Sequence, residues 1–361
     1  MPFSLHRDVV TCWLIVMALC LTSTAWAGAS TTEYHMVDSW RLPGPTRWDY
    51  LVFDPPSQRL YITRGTQVDV VDANTKKLIA TIPDTDEVHG VALAPDLQRG
   101  FTSNGKTNSI TVFDLVSLRP LAQFAVGTKP DAIVYDAGSH QVVTANGVSQ
   151  DLSFVDAREG TVRATVKLGS KPEFAVVDGL GHVVVNLEES GALAVVSTKD
   201  HLVTGRYDLK PDCDGPTGLA IDRARGRLFV SCHNRTLLVV NAKTGAILAK
   251  LPIGSFSDAT AYDPVANLAF SSNSDGTLDI IGATDDDHYK VLQTVPTMST
   301  ARTMALDPDK HRIFLVAAET EGMDPPTPEH PHPRPQFKPD TFTVLVVAPV
   351  EVFPDTEPAA R

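Results

Sequence analysis

The stretch His89–Gly127, HGVALAPDLQRGFTSNGKTNSITVFDLVSLRPLAQFAVG, decides the fold, because it is one copy of a unit that recurs along the chain. Its short apolar segment VALA94 has counterparts in LVFD54, IVYD136, AVVD178, LAID222, TAYD263 and MALD307, at spacings of 40, 42, 42, 44, 41 and 44 residues. That period is the length of a four-stranded propeller blade. The third unit shows the four strands most plainly: Ala132–Tyr135, Gln141–Ala145, Leu152–Val155 and Thr161–Leu168, with Asp136–His140 as the first turn. β-Branched residues fill the runs and Asp, Asn and Gly punctuate them, as half-buried strands and tight turns require. No apolar period of helical type and length follows residue 27.

Seven units run from Trp48 to Val347, and the last stops at its third strand, Phe342–Val347. The missing outer strand stands at the other end of the chain, where Tyr34–Leu42 (YHMVDSWRL) precedes the first unit and belongs to none. Pairing the two closes the ring and protects a sheet edge. The fold expected is therefore all-β: a seven-bladed β-propeller of four-stranded antiparallel blades over residues 34–347, closed by strand 34–42 beside the last blade.

Composition and the N-terminus bound the function. His6 and Arg7, the apolar run Val9–Leu21 and the A-x-A site Ala25-Trp26-Ala27 read as a secretory signal over residues 1–27, cleaved after Ala27. The run is shorter than the ~20 residues that span a bilayer. A periplasmic or secreted protein without a transmembrane anchor is expected. Leu19 before Cys20 argues against lipidation. The chain carries 31 Lys and Arg against 43 Asp and Glu, a formal charge of −12, and has no basic stripe interleaved with aromatics, so nucleic acid is not an expected partner. A monomer is expected. Beyond the signal only Cys213 and Cys232 remain, and an oxidising compartment favours a disulfide between them, with metal ligation as the alternative.

The turn Asp residues (Asp54, Asp136, Asp178, Asp222, Asp263 and Asp307) and the third-strand Asp72, Asp114 and Asp156 are expected to cap their own turns. A second set lies five positions before each turn residue, at the start of the innermost strand: Asp49, His89, Asp131, Glu173, Thr217, Asp258 and Arg302. A propeller points these side chains into its central channel. Because strands alternate in direction, the ends of the second strands share that face. They carry Arg64, Asn104, Asn146, Asn186, His233 with Asn234, Asn273 and Glu319. Asn at such a position serves the following turn, whereas Arg64, His233 and Glu319 depart from it and are the stronger functional candidates.

The last unit inserts residues 319–341, with seven prolines, His330, His332 and Arg334, between its second and third strands. An insertion this long stiffened by proline is expected to form a lid over the channel mouth. The tail, 348–361, is expected to be disordered.

His89–Gly127 resembles the YVTN repeat of YncE-like propellers, and the likeness extends over nearly all of the chain beyond the signal. The tetrapeptide stands here as FTSN104, VTAN146, FSSN273 and SCHN234. The resemblance implies the propeller fold and leaves function open, apart from single-stranded DNA binding in one relative, which the acidity here opposes. Blade five, PTGLAIDRARGRLFV (Pro216–Val230), also resembles the NHL and gluconolactonase repeat, which implies calcium held by channel carboxylates and Asn carbonyls. The tryptophan-rich repeat of PQQ-binding propellers is absent.

Two functions follow. In the first, the mouth is a metal-assisted enzyme site or a site for a small anionic ligand. His89, Glu173 and Arg302 would be the catalytic groups, and Asp49, Arg64, Asn104, Asp131, Asn146, Asn186, Asn273, Glu319 and Arg334 the binding groups. Glu173, His233, Asp258, His330 and His332 would hold a divalent ion such as Zn, Cu or Ca. Glu173, His233 and Asp258, on successive blades, form the leading trio. In the second, the same face is a non-catalytic scaffold of the cell envelope that presents itself to a small molecule, peptide or protein.

Overall fold

The computed structural model describes residues 31–285, 288–325 and 335–352. In it each blade is built from the turn outward. Asp114 Oδ1 accepts the backbone N–H groups of Val116 and Ser117 at 3.1 and 2.6 Å, and Asp222 Oδ1 accepts those of Ala224 and Arg225 at 3.0 and 3.1 Å. These Asx caps stop a strand within one residue and turn it back. In blade three the strands are Pro130–Asp136, Gln141–Asn146, Asp151–Asp156 and Val162–Lys167, hydrogen-bonded in that order and antiparallel throughout.

Seven such sheets form the ring, and residues 33–350 make one compact unit. The one helical element among the described residues is the short 3₁₀ turn Pro95–Leu97, and none is long and apolar enough to cross a membrane. Second and third strands are buried almost throughout, while fourth strands such as Pro120–Ala125 stand largely in solvent. Core clusters lie between neighbouring blades: Phe154, Leu152 and Val143 of blade three pack on Val183, Val185 and Ala194 of blade four. Flat faces stacked in this way bury apolar area on both sides of every sheet but expose the outer edge.

The closing blade is composite, with Thr31–Arg41 beside Thr343–Val352, then Arg312–Ala317 and Met304–Asp307. The last strand continues to Val352, so residues 348–352 belong to a strand where a disordered tail was expected; 353–361 lie outside the described residues. The expected signal, 1–27, also lies outside them.

The insertion begins and ends as a small hairpin, Thr320–Met323 against Pro335–Phe337. Glu319 ties its base to Arg41 and Lys338, each at 3.2 Å, and Phe337 rests on the Trp48 ring at 4.7 Å. His330, His332 and Arg334 lie outside the described residues.

Candidate functional site: the channel mouth

The innermost strands carry the site, and an irregularity in them aims it. In blades two to six the register between first and second strands shifts at Val88/Val91, Pro130/Ile133, Pro172/Ala175, Pro216/Leu219 and Ser257/Ala259. Each shift spans the ring position: His89, Asp131, Glu173, Thr217 or Asp258. A bulge re-aims the side chain it contains. Bonds between blades then hold these positions: Ser103 Oγ donates to the Asp131 carbonyl, Ser272 Oγ to that of Arg302 at 2.5 Å, and Thr303 Oγ1 to that of Asp49 at 2.8 Å.

The side chains so aimed form two ionic groups. His89 Nδ1 lies 2.6 Å from Asp49 Oδ2 and 3.7 Å from Asp131 Oδ1. Arg302 Nε lies 2.5 Å from Asp258 Oδ2, and its Nη2 3.8 Å from Asp49 Oδ1. Asp49 therefore joins the imidazole to the guanidinium. On the far side Lys171 Nζ is 2.7 Å from Glu173 Oε2 and also pairs with Glu188, whose other oxygen is 4.0 Å from His233 Nδ1.

Burial of so many carboxylates sets the protonation states. Burial opposes a charged His89, but Asp131 and Asp49 outweigh it and raise its pKa to about 9. Burial, only partly offset by His89, pushes Asp131 up to about 6. Burial and the neighbouring Asp131 likewise raise Glu173 well above the usual carboxylate range, against the pull of Lys171. The mouth thus holds more acidic groups than it can keep ionised.

Asp49, His89 and Asp131 offer one ligand atom each within 4.8 Å of one another, the one such group of three among the described residues. Nδ1 of His89 is the ring nitrogen turned toward the two carboxylates, whereas Nε2 is buried without a partner and faces Gly105, where an added Cβ would come within 2.7 Å of it. The leading trio of the sequence reading is not gathered: Lys171 stands between Glu173 and Glu188, His233 neighbours Glu188, and Asp258 is paired with Arg302.

The second-strand ends face inward into the blades. Asn104, Asn146 and Asn273 are fully buried and bracket the next strand through Ser109 and Thr111, Asp151 and Ser153, and Thr277 and Asp279. Asn186 donates to the Thr217 carbonyl of the next blade at 2.6 Å. Arg64 is completely buried, bonded to Asp69 at 3.1 Å and to the carbonyls of Pro43 and Pro45, and stacked on Phe342. None of these five offers its side chain to the mouth, and Glu319 is engaged at the base of the insertion. Cys213 and Cys232 are joined in a buried disulfide, directly before His233.

Sequence reasoning overlooked Lys171 and Glu188, which have no counterpart at the ring positions, and it overlooked the floor. One residue beyond each ring position stand Tyr50, Gly90, Ala132, Phe174, Gly218, Ala259 and Thr303. Two aromatics among five small residues were the available signal. Their rings meet at 5.0 Å, edge to face, and Tyr50 feels the charges of Asp258, Glu173, Asp131 and Asp49.

Fold and site together define the class: a seven-bladed β-propeller with a carboxylate and histidine cluster at one mouth of its channel. No family model matches the chain, and no curated protein matches it. Among solved structures, hydrazine synthase of Kuenenia stuttgartiensis aligns with a TM-score of 0.66 at 16% identity over 76% of this chain and 92% of that one. The structure of U3-55K aligns with a TM-score of 0.73 at 11% identity over 88% of this chain and 100% of that one. At these identities the likeness is one of fold.

Proposed function

We propose that the channel mouth binds a divalent cation through His89 Nδ1, Asp49 and Asp131, and that this centre receives a small anionic ligand. The observation that carries the reading is the convergence of those three ligand atoms within 4.8 Å. One imidazole with two carboxylates suits Zn²⁺ better than Ca²⁺, which prefers oxygen alone. Three protein ligands would leave a position open toward the mouth, the pattern of catalytic more than structural zinc. Glu173, whose pKa burial raises well above the usual carboxylate range, is the candidate proton donor, and Arg302 adds positive charge beside Asp49. A metal-assisted reaction on a small anion at this mouth is the chemistry this set supports, in a protein we take to be an exported, divergent member of the YVTN-repeat propellers. The Ala25-Trp26-Ala27 site and the disulfide support export.

A second reading has its own observation. His89, Arg302, Lys171 and the ring carboxylates are already paired with one another, as a purely ionic brace within a scaffold would be. Calorimetric titration of chelator-treated protein with Zn²⁺ separates the two. One equivalent bound by the parent and lost in Asp131→Asn supports the metal centre. No saturable heat in the parent leaves the scaffold.

A further inference from the structure

Beneath the Tyr50–Phe174 pair the channel widens into a chamber of about 340 Å³, within the size range of small-molecule pockets. Leu51, Val91, Ile133, Val176 and Met304 line it, together with Gly90, Ala132 and Ala259 from the small residues noted above. The chamber reaches the face opposite the carboxylates, since Leu93, Tyr135 and Ile221, each one residue before the end of its strand, and Val177, the last of its own, line it too. Arg223 is the one charged residue in the wall. Its Nε and Nη2 both donate to the Val177 carbonyl, at 3.1 and 2.9 Å, which fixes the guanidinium at the rim. Among the described residues it has no carboxylate partner, whereas Arg225, two positions on, is paired with Asp222 at 3.2 Å.

We propose that this chamber is a second binding site, for a small apolar monocarboxylate whose body fills the channel below Phe174 and whose carboxylate meets Arg223 at the rim. The charge pattern sets the orientation: the apolar body lies below Phe174, and the carboxylate meets the Arg223 guanidinium, which offers charge-assisted hydrogen bonds at the opposite rim. Aliphatic walls supply the rest, about 25 cal/mol for each Å² of apolar surface removed from water. The site is independent of the cation reading of the mouth, because the aromatic pair separates the two.

The test is calorimetric titration of the intact protein with octanoate and, separately, with 1-octanol. Octanoate is expected to bind saturably at one site. Arg223→Ala, a change at the exposed rim that leaves the fold intact, should weaken octanoate by about ten-fold or more and leave octanol unaltered. Ala92→Phe, which fills the chamber, should remove both. Absence of saturable octanoate binding to the parent protein overturns the proposal, as does octanoate binding that Arg223→Ala leaves unchanged.

Discussion

The rings of Tyr50 in blade one and Phe174 in blade four meet at 5.0 Å with 67° between their planes, so that two strands on opposite sides of the propeller touch across its axis. This contact divides the channel into a charged upper part and an apolar lower part. Removing the Phe174 ring should therefore do two things at once. Phe174→Ala should lower stability by about 2 kcal/mol, less than a full core truncation because the residue is only half-buried. It should also bring Tyr50 down toward ordinary phenol titration by admitting water to a group that burial now holds high. Tyr50→Phe should be near neutral in stability, since the hydroxyl has no hydrogen-bond partner among the described residues. Urea melts and ultraviolet pH titration measure both effects; equal stability of Phe174→Ala and the parent would mean that the ring contact supports nothing.

His89 makes stability depend on pH in a predictable direction. Its folded-state pKa, about 9, lies above the ordinary 6.5, so the folded protein holds the proton more tightly than the unfolded chain. The stabilisation is complete below about pH 6.5 and is lost as pH rises through about 9. A shift of this size corresponds to on the order of 3 kcal/mol. Asp131, raised to about 6, acts in the same sense at lower pH. Denaturant melts of metal-free protein should show unfolding free energy falling from pH 6.5 to 9, with a shallower fall in Asp131→Asn. A slope unaltered by that substitution would remove Asp131 as the source of the shift.

Much of this was readable before any coordinates. The seven ring positions follow from counting back five residues from each turn, because the turn fixes where the innermost strand starts. The N-terminal strand of the closing blade follows from a missing fourth strand at the C-terminal end. What counting could not supply is which side of a shared face a residue occupies. Asn104 and Arg64 sit at the same end of their blades as His89, but their side chains lie between sheets, where strand alternation and neighbouring side chains decide the outcome. Nor could it pair His89 with Asp49 and Asp131 in preference to Glu173 with His233. That choice depends on the channel's width and on Lys171, which lies two residues outside the ring and neutralises Glu173 and Glu188.

Gly105 controls His89 sterically. A methyl group there would come within 2.7 Å of Nε2 and 3.0 Å of Cδ2, so Gly105→Ala must displace the imidazole. The expected result is loss of Zn²⁺ binding by ten-fold or more with little change in thermal stability, as a displacement of a ligand by even about 1 Å degrades a preorganised site. Unchanged affinity in Gly105→Ala would show that Nδ1 is not a ligand.

The disulfide fixes the loop that leads to His233. It closes a segment with a sequence separation of 19, for which the chain-entropy estimate is about 3 kcal/mol. Cys213→Ser/Cys232→Ser should lose that much in a denaturant melt. Zn²⁺ affinity should survive, since His233 stands apart from Asp49, His89 and Asp131. Loss of affinity in a variant that remains folded would place His233 in the metal centre after all.

Arg64 is the strongest case of a residue whose charge suggests a ligand and whose surroundings assign it another role. Its guanidinium stacks on Phe342 with 3.8 Å to the ring centroid, and Nη1 bonds Asp69, so a blade-one side chain grips the blade that closes the ring. Burial lowers its pKa to about 10, with Asp69 working against the fall, so the group stays charged at neutral pH and must stay paired. Arg64→Ala leaves Asp69 buried beside a cavity and should destabilise by about 3 to 5 kcal/mol. Adding Asp69→Asn to Arg64→Met removes both charges and keeps volume, and should recover part of the loss. Zn²⁺ binding at pH 7 should be unaltered in whichever variants remain folded. An Arg64→Ala protein that melts like the parent, or one that is stable but has lost the metal, would return Arg64 to the list of site residues.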